Sequence, residues 1–194
     1  MSFVAGRLAG GPDRLYLKGM GPNHAGHLHE PLGLSGRALS TGLKSAETRC
    51  ETQGQKLTPA RRRVLELLMK AGQPVKAYDL ISAFSDTAGE TAKPPTIYRA
   101  LEFLEREGLA HRIESLSAYV ACRGQPGGHA AAFLICDCCG RTEEIAAPVD
   151  EALRGLASEA GYTIQAVAIE ARGRCMACRE DLKEHPPSYA QAQG

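Results

Sequence analysis

The run AKPPTIYRALEFLEREGLAHRIES, Ala92 to Ser115, decides the fold. Pro94-Pro95 marks a helix start, because the first helical position has no use for the N–H that proline lacks. Ile97, Ala100, Leu101 and Leu104 then recur at i, i+3, i+4 and i+7, the spacing of one buried helical face. Gly108 ends the helix. "LAHRIES" follows as a short extended run, and a second, "SAYVAC", lies beyond a polar turn.

Upstream, Thr58-Pro59 reads as an N-cap with proline at the first helical position, and Gly72 as a terminator. Val64, Leu65, Leu67 and Leu68 supply the buried side between them. Another helix carries Ala77, Leu80, Ile81 and Phe84 at the same spacing, and a loop, "SDTAGETAK", leads on to Pro94. Three short helices and a two-stranded hairpin make the winged variant of helix-turn-helix, expected over residues 46–122. Residues 1–45 are rich in Gly, Pro, Ser and Leu without a stable period. They are expected to be a disordered extension, or the product of a start placed upstream of Met20, with order beginning near Cys50. His24, His27 and His29 in that stretch suit loose metal binding or plain solvation.

Downstream, residues 123–180 read as strand, strand, helix, strand. "AFLIC" and "TEEIA" flank the turn CDCCG, Cys136 to Gly140. A helix is expected from about Pro148 to Glu159, with Val149, Leu153, Leu156 and Ala160 on one face. "YTIQAVAIEARG" is β-type throughout, and residues 181–194 read as a disordered tail. The fold class is therefore α+β, a winged helix-turn-helix domain followed by a small α/β domain.

Composition agrees with one or two globular modules: 194 residues, 43% hydrophobic, with no apolar run long enough for a membrane span. No secretory signal is recognisable, and a cytoplasmic protein is expected. In that compartment seven cysteines are metal ligands or free thiols more readily than disulfides. Charge is segregated. Residues 56–112 hold ten Lys and Arg against seven Asp and Glu, while residues 113–194 hold seven against eleven. A basic middle ahead of an acidic end suits a first module that faces a polyanion.

The cysteine pairs are the most specific signal. Structural zinc takes four ligands in a tetrahedron, and each Cys-x-x-Cys knuckle supplies two. Cys136, Cys139, Cys175 and Cys178 form two such pairs, and Gly140 permits the sharp turn after the first. Adjacent side chains diverge, so Cys138 is expected to stay outside the set. A zinc deaminase would need a nearby His-x-Glu, which is missing, and a closed four-ligand site leaves no open position; no enzyme is expected. His111, Cys122, His129, Glu143 and Glu144 cluster where the modules meet, a mixed N/S/O set that suits reversible zinc. Spacing does not decide between Glu143 and Glu144.

The helix after Pro95 is the candidate DNA reader. Its outer side would carry Thr96, Tyr98, Arg99, Glu102 and Arg106, with Tyr98 and Arg99 in the first turn, where a recognition helix meets base edges. Arg61, Arg62 and Arg63 would suit flanking phosphates. The same pattern also fits an amphipathic helix with a solvated polar face.

The text "LTPARRRVLELL", "AYDLISAF", "AKPPTIYRALEFLEREGLAHRIES", "YVAC", "FLICDCCG" and "IEARGRCMACR" resembles the ferric uptake regulator family and, within it, the zinc uptake regulators, over roughly residues 46–180. The resemblance implies a homodimeric, metal-dependent repressor with an N-terminal winged helix and a C-terminal dimerisation domain. It places Cys136, Cys139, Cys175 and Cys178 on the structural zinc, and His111, Cys122, His129 and Glu144 on a regulatory zinc. Two Zn2+ per chain follow from it. Tyr98 and Arg99 fall on the DNA-reading positions. The partners implied are a second copy of the chain and double-stranded DNA, an AT-rich palindromic operator controlling zinc uptake, with no membrane and no small-molecule substrate. Iron and peroxide sensors carry a His-rich stretch with an Asp before the first cysteine pair. Here "GGHAAAFLIC" has one histidine and no Asp, while Cys122 adds a soft thiolate, which favours zinc over Fe(II) and Mn(II). The alternatives are a family member tuned to iron, manganese, nickel or peroxide, and a zinc-ribbon module that binds protein rather than DNA.

Overall fold

The computed structural model describes residues 33–88, 93–123, 131–146, 150–164 and 167–179. Helix α1 spans Gly36–Thr52 and α2 Pro59–Ala71; a two-residue strand β1, Val75–Lys76, precedes α3, Ala77–Ala88. Helix α4, Pro94–Arg106, runs into β2, Ala110–Ile113, a 3-10 turn over Glu114–Leu116, and β3, Ala118–Ala121. The second module holds β4, Ala131–Cys136; β5, Thr142–Ala146; α5, Asp150–Glu159; β6, Ala168–Gly173; and α6, Met176–Arg179.

The stripe in α4 packs as its spacing requires: Ile97, Ala100, Leu101 and Leu104 are all buried, together with Phe103. They meet Val64, Leu65, Leu67 and Leu68 of α2 and Leu80 of α3 in one core. Thr58 stays extended ahead of Pro59, and Gly72 takes φ +60 after α2, where a side chain would be strained. The wing has three strands rather than two, because β1 pairs with β3 through Val75↔Tyr119; the sheet order is β1-β3-β2.

Residues 36–45 correct the expectation of a disordered start to residue 45. They form the first half of α1, which buries Leu39, Leu43, Ala46 and Cys50 in the winged-helix core. Two of the glycines read as disorder, Gly33 and Gly42, are close-packing positions. A Cβ on Gly33 would lie 1.9 Å from the Lys70 carbonyl oxygen, and one on Gly42 would touch the Met69 sulfur. Leu34 N–H also donates to the Met69 carbonyl at 2.8 Å. Residues 1–32, with His24, His27 and His29, lie outside the described residues, as does the tail from 180.

The second sheet has order β5-β4-β6, with β4 antiparallel to β5 and parallel to β6. Among the described residues of the long β-type stretch, regular strand covers Ala168–Gly173. One face of this sheet sends Phe133 and Ile135 against Ile113 and Val120 of the wing. The other face leaves Leu134 and Ile145 exposed, and Leu153 and Leu156 of α5 are exposed as well.

Candidate metal centres and nucleic-acid interface

β4 ends in the turn that begins the first thiol pair. Gly140 N–H donates to the Cys136 carbonyl at 2.9 Å, and Gly140 holds φ +72. β6 runs parallel beside β4, so Gly173 lies opposite Cys136 and brings the second pair alongside. The sulfurs of Cys136, Cys139, Cys175 and Cys178 all lie within 4.8 Å of one another. Sulfurs at the corners of a tetrahedron with zinc bonds of about 2.3 Å are about 3.8 Å apart. Cys139 Sγ and Cys175 Sγ are 3.8 Å apart, so the cluster fits the ion.

Its electrostatics fit as well. Burial works against a charged Cys136, but backbone N–H groups from Cys139, Cys175 and Cys138 outweigh it and hold the thiol at about 7. Burial pushes Cys139 up to about 12 and raises Cys178 as well. A divalent cation bound by the four sulfurs would offset this burial cost by displacing the thiol protons. Cys138 is buried beside this cluster but is not one of the four.

The second cluster joins the modules. His111 comes from β2, Cys122 follows β3, and Glu144 stands on β5; one ligand atom from each lies within 4.8 Å of the others. His111 Nε2 is 3.3 Å from Glu144 Oε1, and the Cys122 thiol is 3.7 Å from the same oxygen. Arg123 N–H donates to Glu144 Oε2 at 2.8 Å. The His111 ring meets Phe133 edge-on at 5.5 Å. Burial lowers the His111 pKa, yet hydrogen bonds with Cys122 and Glu144 overcome it and raise the group to about 9. An imidazole, a thiol and a carboxylate converging in this way form a set that zinc accepts.

The strand period separates the two glutamates. Glu144 sits opposite Phe133 on the face toward the wing, whereas Glu143 sits opposite Leu134 on the other face and pairs with Arg141 at 2.7 Å. His129 lies outside the described residues.

On α4, Thr96, Tyr98 and Arg99 are exposed at the start of the helix, Tyr98 by 52%. The three arginines of α2 differ from one another. The Arg61 guanidinium lies 3.6 Å over the Phe103 ring and donates to the Lys56 carbonyl at 2.7 Å. Arg63 pairs with Glu66 at 2.9 Å, and Arg62 is exposed. Sequence spacing pointed to neither the Arg123 amide nor Phe133. A backbone donor has no residue signature, and Phe133 reads as one more apolar strand residue.

The ferric uptake regulator family profile matches residues 52–172. The chain is 40% identical over 148 residues to the zinc uptake regulation protein of Escherichia coli (strain K12), covering 74% of this chain and 85% of that protein. Its structure is similar to that of a zinc uptake regulator complexed with zinc and DNA, with a TM-score of 0.71 at 37% identity, covering 76% of this chain and 99% of that one. It is also similar to holo XcZur, with a TM-score of 0.67 at 39% identity, covering 74% and 99%.

Proposed function

The chain belongs to the ferric uptake regulator family, and from that premise we propose that it is a zinc-responsive, DNA-binding transcriptional repressor of zinc uptake and homeostasis genes, with zinc as co-repressor. The observation that carries this reading is the second cluster, whose ligand atoms come from both modules: His111 and Cys122 from the wing, Glu144 from the C-terminal sheet. His129 is the fourth ligand in this reading. Zinc bound there would supply a doubly charged centre to which ligands of both modules are tied. Cys122 makes the set soft, which favours zinc over Fe(II) or Mn(II).

The residues of the chain divide the work. Cys136, Cys139, Cys175 and Cys178 hold a structural zinc that closes the C-terminal domain, giving two ions per chain. The exposed Leu134, Ile145, Leu153, Leu156 and Tyr162 provide the apolar surface through which two copies pair. Pairing presents two α4 helices to successive half-sites, an AT-rich palindrome in this reading, with Tyr98 and Arg99 at the base edges, Thr96 beside them and Arg62 on phosphate. Arg61 and Arg63 support the helix packing behind them. With the regulatory cluster protonated and empty of metal, its own tie between the modules is reduced to the His111–Glu144 ion pair at 3.3 Å and the Glu144 contacts with Cys122 and the Arg123 amide. Without the metal tie the wing samples more orientations, few of which match both half-sites.

Among the described residues no helix is long and apolar enough to cross a membrane. The cytoplasm is the compartment in which reduced thiols and DNA occur together. A family of transcriptional regulators and a closed thiolate site both argue for a regulator and not an enzyme. Mild chelation tests the proposal: one zinc of two per chain should leave, the dimer should persist, and the operator should be released. A chelated protein that keeps its operator would contradict it.

A further inference from the structure

Glu144, Phe133 and Glu170 form a single row across the second sheet, since Phe133 pairs with Glu144 on β5 and with Glu170 on β6. Residues paired directly across strands face the same side, so two carboxylates flank one aromatic ring on the face toward the wing. With strands about 4.8 Å apart, the two carboxylate-bearing positions are roughly 10 Å from each other. Glu144 meets His111, Cys122 and the Arg123 amide. Glu170 meets the other side of the wing: Glu114 N–H donates to its Oε1 at 2.7 Å, and Ser115 N–H to its Oε2 at 3.2 Å. Those amides open the 3-10 turn, where backbone donors have no partner within the turn itself. Despite partial burial, a hydrogen bond from the Ser115 side chain, the two backbone amides and the charge of Arg172 hold the Glu170 carboxyl below its usual value.

We propose that Glu170 is a positioning residue, the metal-independent second anchor that fixes the angle of the winged helix on the C-terminal domain. The proposal rests on the zinc-dependent operator binding argued above. The node at His111, Cys122 and Glu144 and the Thr142 N–H that donates to Gln73 Oε1 at 2.9 Å both meet the second sheet at β5, an edge strand, which leaves the wing free to swivel about that edge. A second attachment roughly 10 Å away across the sheet removes the swivel, with Phe133, Ile113 and Val120 packed between the two. No titratable partner is required on the wing side, because the carboxylate is met there by backbone amides and the Ser115 side chain. Charge-assisted bonds of this kind are directional enough to set an orientation.

The test measures operator affinity at saturating zinc for the full-length dimer. Glu170→Ala is expected to weaken binding by about tenfold, the loss of these charge-assisted but partly solvated hydrogen bonds. Glu170→Gln should fall between it and wild type, because the amide oxygen still accepts. Both should keep two zinc ions per chain and remain dimeric. The wing side offers an independent variant. Glu114→Pro deletes the N–H donor where Ile113 is already extended (φ −102, ψ 106), the conformation that a residue before proline prefers. Glu114→Ala, which keeps the donor, is its control. Glu114→Pro, which removes one of the donors, should reproduce part of the Glu170→Ala loss, Glu114→Ala should not, and the Glu170→Ala/Glu114→Pro double variant should be no worse than Glu170→Ala alone. In wild type the Glu114 and Ser115 amides should exchange slowly, and in Glu170→Ala fast. Wild-type affinity in Glu170→Ala and Glu114→Pro would overturn the anchor while leaving zinc-dependent binding intact. Additive losses in the double variant would reduce it to a general effect on stability, and also overturn it. A wild type that ignores zinc would remove the premise, and the anchor with it.

Discussion

Burial alone would make His111 a poor base, yet it is raised to about 9 because the Cys122 thiol and the Glu144 carboxylate both face it. A folded value above the unfolded one has a definite sign. In protein loaded only at the four-cysteine centre, the stabilisation is complete below about 6.5 and fades as pH climbs through about 9. The difference in denaturation midpoint between that form and His111→Ala should therefore be widest near pH 6 and close by about pH 10; a gap that ignores pH would contradict the contact. The proton also competes with metal for the ring, so zinc affinity at this cluster should rise across the same window. Among the thiols, neighbours in the buried cysteine cluster have opposite expectations. Cys138→Ser should retain both zinc ions, whereas Cys175→Ser should lose the structural one and with it the dimer, as read by metal content and sedimentation. Loss of zinc from Cys138→Ser would show that the cluster borrows the fifth thiol.

Among the elements, α4 has a buried stripe and an exposed first turn, and these should respond differently to substitution. Leu101→Ala should destabilise the fold by about 2–5 kcal/mol, as an emptied core position does. Arg99→Ala should leave the melting temperature near wild type and weaken operator binding. In α2, Arg62→Ala should reduce the salt dependence of binding by about one counterion. Arg61→Ala should instead cost about 1 kcal/mol of stability, because its guanidinium stacks on Phe103. Equal effects of Arg61 and Arg62 on the salt slope would contradict that division. The elements legible in the sequence were those with a strong local signal: prolines at helix starts, the 3.6-residue stripe, glycines at helix ends. α1 was hidden because Gly36 and Gly42 interrupt its pattern, and only contact with Met69 and Lys70 explains the glycines nearby. β1 is two residues long and exists through its pairing with β3, which no local spacing encodes.

At the scale of the molecule, the four-cysteine set could be read from two matched pairs, because a knuckle is a local object. The choice of Glu144 over Glu143 could not, since it depends on which face of β5 meets the wing. The row Glu144–Phe133–Glu170 was invisible for the same reason: its members are brought together by sheet register alone. The exposed leucines of the second module define the dimer surface proposed for the chain, and Leu156→Asp should yield monomers that still hold the four-cysteine zinc; a dimer that survives would place the interface elsewhere. In the proposed mechanism metal, wing orientation and operator are linked by one coupling free energy, so each should strengthen the others. The most direct test follows operator binding as free zinc is raised with a buffer, for wild type and Cys122→Ser side by side. Wild type should bind tightly only above a threshold of free zinc, and Cys122→Ser should need far more zinc or fail to bind while keeping its structural ion. Equal operator affinity with and without zinc, in both proteins, would contradict the account.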